Sequence, residues 1–391
     1  MLGTRAAPGD SPNSCSAPAD IQYDSGGFSR NGVAASWGRA RSLCWLMRQA
    51  MSASRGSSGV HSPRSRMPIS HTGASATTTS RAHEPVAGTE RESSINPWER
   101  QLIHHVTDAD LERVRAFLEA HAETSLFLLS NLALLGPRLG DHPNSGNYQL
   151  LEERGRVAAV FCLTRGGNLL VQAAGRAELA GPILKACEAQ PIAVRGVIGE
   201  WPTANALWRL LCADPRFQPL HSVKDVLYRL SLSAARVDRD AGGVLHARAL
   251  DAQDFDQWEP LNTAYLAELD LPAQAAHAQR KAAFVSGARA RLWWGVFEGS
   301  RLAAIAGLNA TYGSFGQVGG VYTGPKDRRK GLARAAMSRL IEDCTEHHRF
   351  ARLILFTGED NHAARRLYES LGFEARGAFA LLLGERRGAA G

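Results

Sequence analysis

Long apolar runs are scarce in this sequence of 391 residues. The longest candidate, Leu126 to Leu135, is broken by Ser130 and Asn131 and falls short of the roughly eighteen residues a membrane helix needs. Ser42 to Met47 is too short, and too far from the first residue, to be a secretory core. These absences lead to the expectation of a soluble, cytoplasmic protein with no membrane partner. Paired cysteines are also missing. Of six cysteines, Cys15 and Cys44 sit in the N-terminal tail, and Cys162, Cys187, Cys212 and Cys344 fall singly on expected strands or helices. Without a Cys-x-x-Cys spacing, zinc ribbons and redox pairs are excluded, and buried, reduced thiols are expected. The neighbouring pairs His104-His105 and His347-His348 have side chains that diverge on either a strand or a helix, so no metal site is expected. No Gly-Lys-Ser/Thr loop is present to hold a nucleoside triphosphate.

Lysine is absent from residues 1–94, which carry ten arginines against six acids and therefore +4 of the +7 net charge. The remaining 297 residues keep only +3, too balanced for a broad nucleic-acid footprint, and no nucleic-acid partner is expected. Ser, Gly, Ala, Pro and Arg dominate that tail without apolar periodicity, so residues 1–95 are expected to be disordered. The tail is expected to be a dispensable extension, with Met51 and Met67 as internal start candidates.

What is present begins at Trp98. Two segments of about 140 residues read in one order, strand, two helices, three strands, helix, strand, helix, strand. The boundaries expected are 96–235 and 240–391, an internal duplication of one mixed-sheet α/β (α+β) unit. Within the second unit, Gln317 to Thr323 is β-prone with a double glycine, Gly319-Gly320, where a strand bulges. Lys326-Asp327-Arg328-Arg329-Lys330-Gly331-Leu332-Ala333-Arg334 then opens a helix. A helix N-terminus offers unpaired N–H groups and a positive dipole end, and Gly331 lets an anion approach the backbone; Arg328, Arg329, Lys330 and Arg334 add charge. A buried strand, Leu353 to Thr357, follows, and then a short helix from Asn361 to Leu371 stopped by Gly372.

The order Arg328-x-x-Gly331-x-Ala333 resembles the diphosphate-binding signature of the GNAT acetyltransferase superfamily, Gln/Arg-x-x-Gly-x-Gly/Ala. Some thirty residues on, Asn361-x-x-Ala364-x-x-x-Tyr368-x-x-x-Gly372-Phe373 resembles that family's second signature. The resemblance covers roughly residues 244–385 and implies acetyl-CoA as co-substrate and an amine-bearing acceptor. It implies that Val321, Tyr322 and Thr323 line the pantetheine arm, that residues 328–334 grip the diphosphate, Leu332 and Ala333 included, that Asn361 holds the pantetheine amide, and that Tyr368 protonates the departing thiolate. For a base, Glu268, Asp270 and Glu359 are the candidates, with Glu268 preferred. The first unit has Gly175 to Pro182 where the second has its cationic turn, and carries Glu178 where an anion would lie. It is therefore expected to be a degenerate copy. The alternative to an N-acetyltransferase is a non-catalytic acyl-CoA-binding module.

Overall fold

The computed structural model describes residues 101–237, 246–269 and 276–386. The disorder expected of the tail, and the acid at Asp270, lie outside those residues.

The first half runs β1 (Gln101–His105), α1 (Leu111–Ala120), α2 (Ala122–Leu135), β2 (Gly146–Glu153), β3 (Arg156–Thr164), β4 (Asn168–Gln172), α3 (Ala180–Glu188), β5 (Gly196–Glu200), α4 (Trp201–Cys212) and β6 (Phe217–Ser231). The second repeats that order as β7 (His246–Ala249), α5 (Phe255–Glu268), α6 (His277–Arg289), β8 (Trp293–Glu298), β9 (Arg301–Tyr312), β10 (Phe315–Thr323), α7 (Leu332–Glu346), β11 (Arg352–Gly358), α8 (His362–Ser370) and β12 (Glu374–Arg386). One device opens the first helical segment of each half. Asp110 Oδ2 accepts from the N–H and hydroxyl of Thr107, at 2.9 and 2.7 Å, and Asp254 Oδ2 accepts from Asp251 N–H at 2.8 Å. Each carboxylate satisfies an N–H that the turn leaves unpaired.

The twelve strands among the described residues form one sheet, ordered β1-β2-β3-β4-β5-β12-β6-β11-β10-β9-β8-β7. The last strand of each half is exchanged. β6 lies antiparallel to β11, from Ser231↔Arg352 to Asp225↔Gly358, and β12 lies antiparallel to β5, from Phe379↔Glu200 to Leu383↔Gly196. β6 and β12 pair with one another from Arg229↔Glu374 to Phe217↔Arg386. Two parallel pairs, β4 with β5 and β10 with β11, occupy equivalent places in the halves.

The apolar patterns of residues 192–199 and 223–232 predict two strands whose observed bounds differ. β5 begins at Gly196, because residues 192–195 form a loop in which Arg195 N–H bonds Gly167 O at 2.6 Å. β6 starts at Phe217 and reaches Ser231, long enough to pair with both β11 and β12.

The exchange makes a core common to both halves. Leu126, Phe127 and Leu150 share a buried cluster with Leu266, Ala310, Ile354 and Phe379. α2 is apolar on every side, so burial on every side is its stable placement, and nine of its residues are buried. It lies against both β4 and β9. On the faces of the second half, α7 sets Leu332, Met337, Leu340 and Ile341 beneath the strands, while Phe255, Trp258, Phe284 and Trp293 fill the other side. Burying a side chain of this size stabilises by roughly 2–3 kcal/mol.

Candidate active site

β10 and β11 pair at Phe315↔Arg352, Gly316↔Leu353 and Gln317↔Ile354, and then part. On its other edge β10 pairs Gly319↔Gly307 and next Tyr322↔Ile305, so Gly320 and Val321 stand opposite Ala306 alone. That extra residue is a bulge, which bends the strand. Gly320 has φ +64, and a Cβ on Gly319 would stand 1.9 Å from Asn309 Nδ2, so both positions require glycine. The parted strands open a cleft of about 540 Å³ whose walls include Gln317, Gly319, Val321, Phe356 and Tyr368. The first half contributes Phe127 from α2 and His221, Val223 and Asp225 from β6. Tyr322, the next residue on β10, turns the other way into the core beside Trp258 and Phe255.

The turn between β10 and α7 follows directly. Gly331 caps α7 in the left-handed conformation, φ +80, and nothing stands within 4 Å of where its Cβ would be. The first intrahelical bond runs from Ala335 N–H to Gly331 O at 3.0 Å, leaving the N–H groups of Leu332, Ala333 and Arg334 ahead of it. The Leu332 side chain is core, so only its backbone faces the turn. Arg329 is exposed and makes no ion pair or hydrogen bond among the described residues. Arg328, Lys330 and Arg334 are tethered. Lys330 donates to Asp327 at 2.9 Å and Glu298 at 3.1 Å, Arg328 pairs with Glu268 and donates to Thr323 O at 3.1 Å, and Arg334 donates to Ser370 Oγ at 2.7 Å. Hydrogen bonds from Arg301 and Lys330 hold the Asp327 carboxyl well below the ordinary range. The turn is thereby pinned from inside, with its outer face open to an anion.

Tyr368 is buried from α8 against Tyr228 and Phe373, ring centroids 6.2 and 5.9 Å away. The end of α8 explains the glycine and phenylalanine of the motif. Gly372 turns left-handed at φ +95, and Phe373 N–H reaches back to Tyr368 O at 3.0 Å, which folds the two rings together. Burial pushes the Tyr368 phenol well up, so it stays protonated through the neutral range. Asn361 caps α8, its side-chain oxygen accepting from Ala364 N–H at 3.2 Å. Glu268 accepts from Tyr322 Oη at 3.0 Å besides its pairing with Arg328. Glu359 pairs with Lys224 at 3.3 Å, on the far face of β6.

One cleft acid, Asp225, lies outside both signatures. Burial first, and then the neighbouring charge of Asp360, push the Asp225 carboxyl up to about 7. The sequence holds a partial trace of it: Asp225 alternates with Val223 and Leu227, an acid between two apolar residues on one strand face, with nothing to say what that face meets.

The equivalent place in the first half is closed. β4 and β5 stay paired from Asn168↔Gly196 to Val171↔Gly199. The buried Glu200 carboxylate accepts from Ala173 N–H at 2.8 Å, Gly175 N–H at 2.7 Å and Thr203 Oγ1 at 3.0 Å, occupying the amides an anion would use. Glu178, the acid expected there, is paired instead with Arg176 at 2.8 Å.

Asp343, Glu346 and His347 are a group close enough to share a cation among the described residues. The Asp343 carboxylate already receives Arg291 at 2.7 Å, Trp294 Nε1 at 2.8 Å and Arg339, so its charge is balanced without an ion.

Comparison with known proteins agrees with this geometry. A sequence model described as the acetyltransferase (GNAT) family matches residues 255–373. No curated protein matches the sequence. Among solved structures, a GCN5-related N-acetyltransferase from Sphaerobacter thermophilus is similar at 15% identity and TM-score 0.50, over 74% of this chain and 96% of that one. A Drosophila protein is similar at 16% identity and TM-score 0.50, over 73% and 99%. A tandem GNAT protein from the clavulanic acid biosynthesis pathway has 14% identity and TM-score 0.44, over 74% and 100%. At these identities the first two likenesses show the fold, and the sequence match identifies residues 255–373 as a domain of the acetyltransferase (GNAT) family.

Proposed function

We propose that this protein is an acetyl-CoA-dependent N-acetyltransferase, with its catalytic unit in residues 240–391 and a degenerate unit in residues 96–235. The observation that carries this reading is the parting of β10 from β11 beside the left-handed Gly331 turn. An extended arm fits between strands that no longer pair, and a diphosphate fits the exposed N–H groups at the head of α7.

The fit to acetyl-CoA is good on three counts: the bare side of Gly331, the untethered Arg329, and the unpaired strand edge from Val318 to Val321. Arg328, Arg329 and Arg334 and the N–H groups of Leu332 and Ala333 would hold the diphosphate, Lys330 fixing the turn that presents them. Gly319, Val321 and Thr323 would line the arm, with Asn361 at its amide. When bound, the co-substrate supplies an activated acyl carbon. An N–H near Val321 or Tyr322 would face the carbonyl oxygen as charge grows there. Tyr368, kept neutral by burial, would deliver its proton to the departing sulfur. The Arg328 pairing leaves Glu268 as a support for the turn as much as a base. The free thiols of Cys162, Cys187, Cys212 and Cys344 suit a reducing compartment such as the cytoplasm.

The test is acetyl-CoA binding by calorimetry, followed by CoA release with amine acceptors, in wild type, Tyr368→Phe and Gly331→Glu. Gly331→Glu is expected to abolish binding. Tyr368→Phe is expected to bind normally and to slow release by a factor of about ten to a thousand. Binding without release in wild type, unaltered by Tyr368→Phe, would instead indicate an acyl-CoA-binding module.

A further inference from the structure

We infer that the N-terminal half completes the acceptor site. β6 sets Asp225 in the cleft wall opposite the end of β11, where it holds and deprotonates the ammonium of a primary amine whose apolar body rests on Phe127, Phe356 and Phe379. This rests on the acetyl-transfer reading and adds to it the substrate class and the base.

The position follows from the strand exchange. Asp225 stands opposite Gly358, where β11 ends, and opposite Phe379 on β12. His221, Val223 and Asp225 alternate along β6 and all line the cleft. Beside them is an apolar shelf. Phe356 and Phe379 stack at 4.0 Å between centroids and 7° between planes, and Phe127 lies 6.2 Å from each.

The charges point to a cation. The described cleft lining holds three carboxylates, Asp225, Asp360 and Glu268, and neither lysine nor arginine. Glu268 is neutralised by Arg328. Asp225 and Asp360 have no hydrogen bond or ion pair from their side chains among the described residues. Two like charges beside one another in a half-buried site are unfavourable until a cation joins them. An ammonium supplies it, and its hydrocarbon tail gains from the phenylalanine shelf. The titratable groups sharing the cleft with Asp225 are Asp360 beyond β11, His221 on β6, Tyr265 and Glu268 on α5, and Tyr368 on α8, with Arg328 reaching Glu268 from outside the lining. Lys224 and Glu359 pair on the opposite face of β6. A carboxyl titrating near neutrality accepts a proton from an ammonium and returns it to water between turnovers.

The reaction balances as R–NH3⁺ plus acetyl thioester giving R–NH–acetyl, thiol and H⁺. Asp225 takes the first proton, freeing the nitrogen lone pair. The C–N bond forms as the C–S bond breaks, and the second nitrogen proton replaces the one that Tyr368 gives to sulfur.

The experiment uses the full chain as wild type, Asp225→Asn and Asp225→Glu, titrated by calorimetry with 2-phenylethylamine and with neutral 2-phenylethanol, without and with acetyl-CoA. Wild type is expected to bind the amine at least about tenfold tighter than the alcohol, and Asp225→Asn to lose that preference while keeping its acetyl-CoA affinity. Turnover of the amine should rise with pH through about 7 in wild type. Asp225→Asn should lose that rise and roughly a hundredfold in kcat/KM, with partial recovery in Asp225→Glu. Equal amine affinity in Asp225→Asn, no preference for the amine in wild type, or an unchanged pH profile in the variant would overturn the inference. Failure of wild type to bind acetyl-CoA would overturn the acetyl-transfer reading instead, because the amine titration is run without it.

Discussion

Replacing Asp225 by asparagine should make the protein more stable at alkaline pH while damaging its chemistry. The carboxyl titrates at about 7 in the folded chain against an ordinary 3.8, so between those values the native state binds more protons than the unfolded one. Stability therefore falls as pH rises from about 4 to about 7 and is level above that. Three pH units correspond to a ceiling of about 4 kcal/mol, and the partial exposure of Asp225 reduces this to about 2 kcal/mol. Asparagine keeps the shape and carries no charge, so the variant lacks this decline. The difference between the proteins should be near zero at about pH 4 and about 2 kcal/mol in favour of Asp225→Asn at about pH 8, or some 4 °C or more in Tm. Urea and thermal unfolding followed by near-ultraviolet circular dichroism across that range measures it. Parallel stability curves for the two proteins, or a variant weaker at about pH 8, would refute the claim that burial and Asp360 strain this carboxylate.

Three further outcomes follow from packing. Gly319→Ala drives a methyl into Asn309, so the bulge must shift, with a loss of about 1–3 kcal/mol and weaker acetyl-CoA binding by calorimetry. Glu200→Ala orphans the amides of Ala173 and Gly175 and should cost about 2 kcal/mol in urea unfolding, while acetyl-CoA affinity stays at the wild-type value. Residues 246–391 made alone should fail to form a stable monomer, since β11 loses β6 and β12 loses both its partners; mixing with residues 1–237 should restore the near-ultraviolet spectrum and one-to-one assembly in sedimentation. A fragment 246–391 that is folded and binds acetyl-CoA by itself would contradict the exchanged sheet.

The elements themselves were largely legible, because apolar alternation and helical periodicity are local properties: β10, β11 and α8 lie within a residue or two of where their patterns place them, and α7 begins at Leu332, after the cationic turn. Partnership was not legible. Nothing in the alternation of Phe217 to Ser231 says that this strand pairs with β11 and β12 and not with β5, since the same pattern satisfies any neighbour. The consequences of that exchange were hidden with it: Tyr228 against Tyr368, Asp225 at the cleft, Phe127 on its shelf. Side-chain commitments were hidden too. A run of cations reads as uniform charge, whereas Lys330 is spent on Asp327 and Arg329 is left exposed. In the first half the acid occupying the anion position is Glu200, brought there by the β5–α4 turn from outside the expected segment.

The most direct measurement is calorimetric titration of the full chain with acetyl-CoA, beside Gly331→Glu. One equivalent per chain, abolished by Gly331→Glu and untouched by Glu178→Arg in the closed first half, is the predicted result. Two equivalents, or one that survives a carboxylate at position 331, would mean that the parted strands and the turn at the head of α7 are not where the thioester carrier is held.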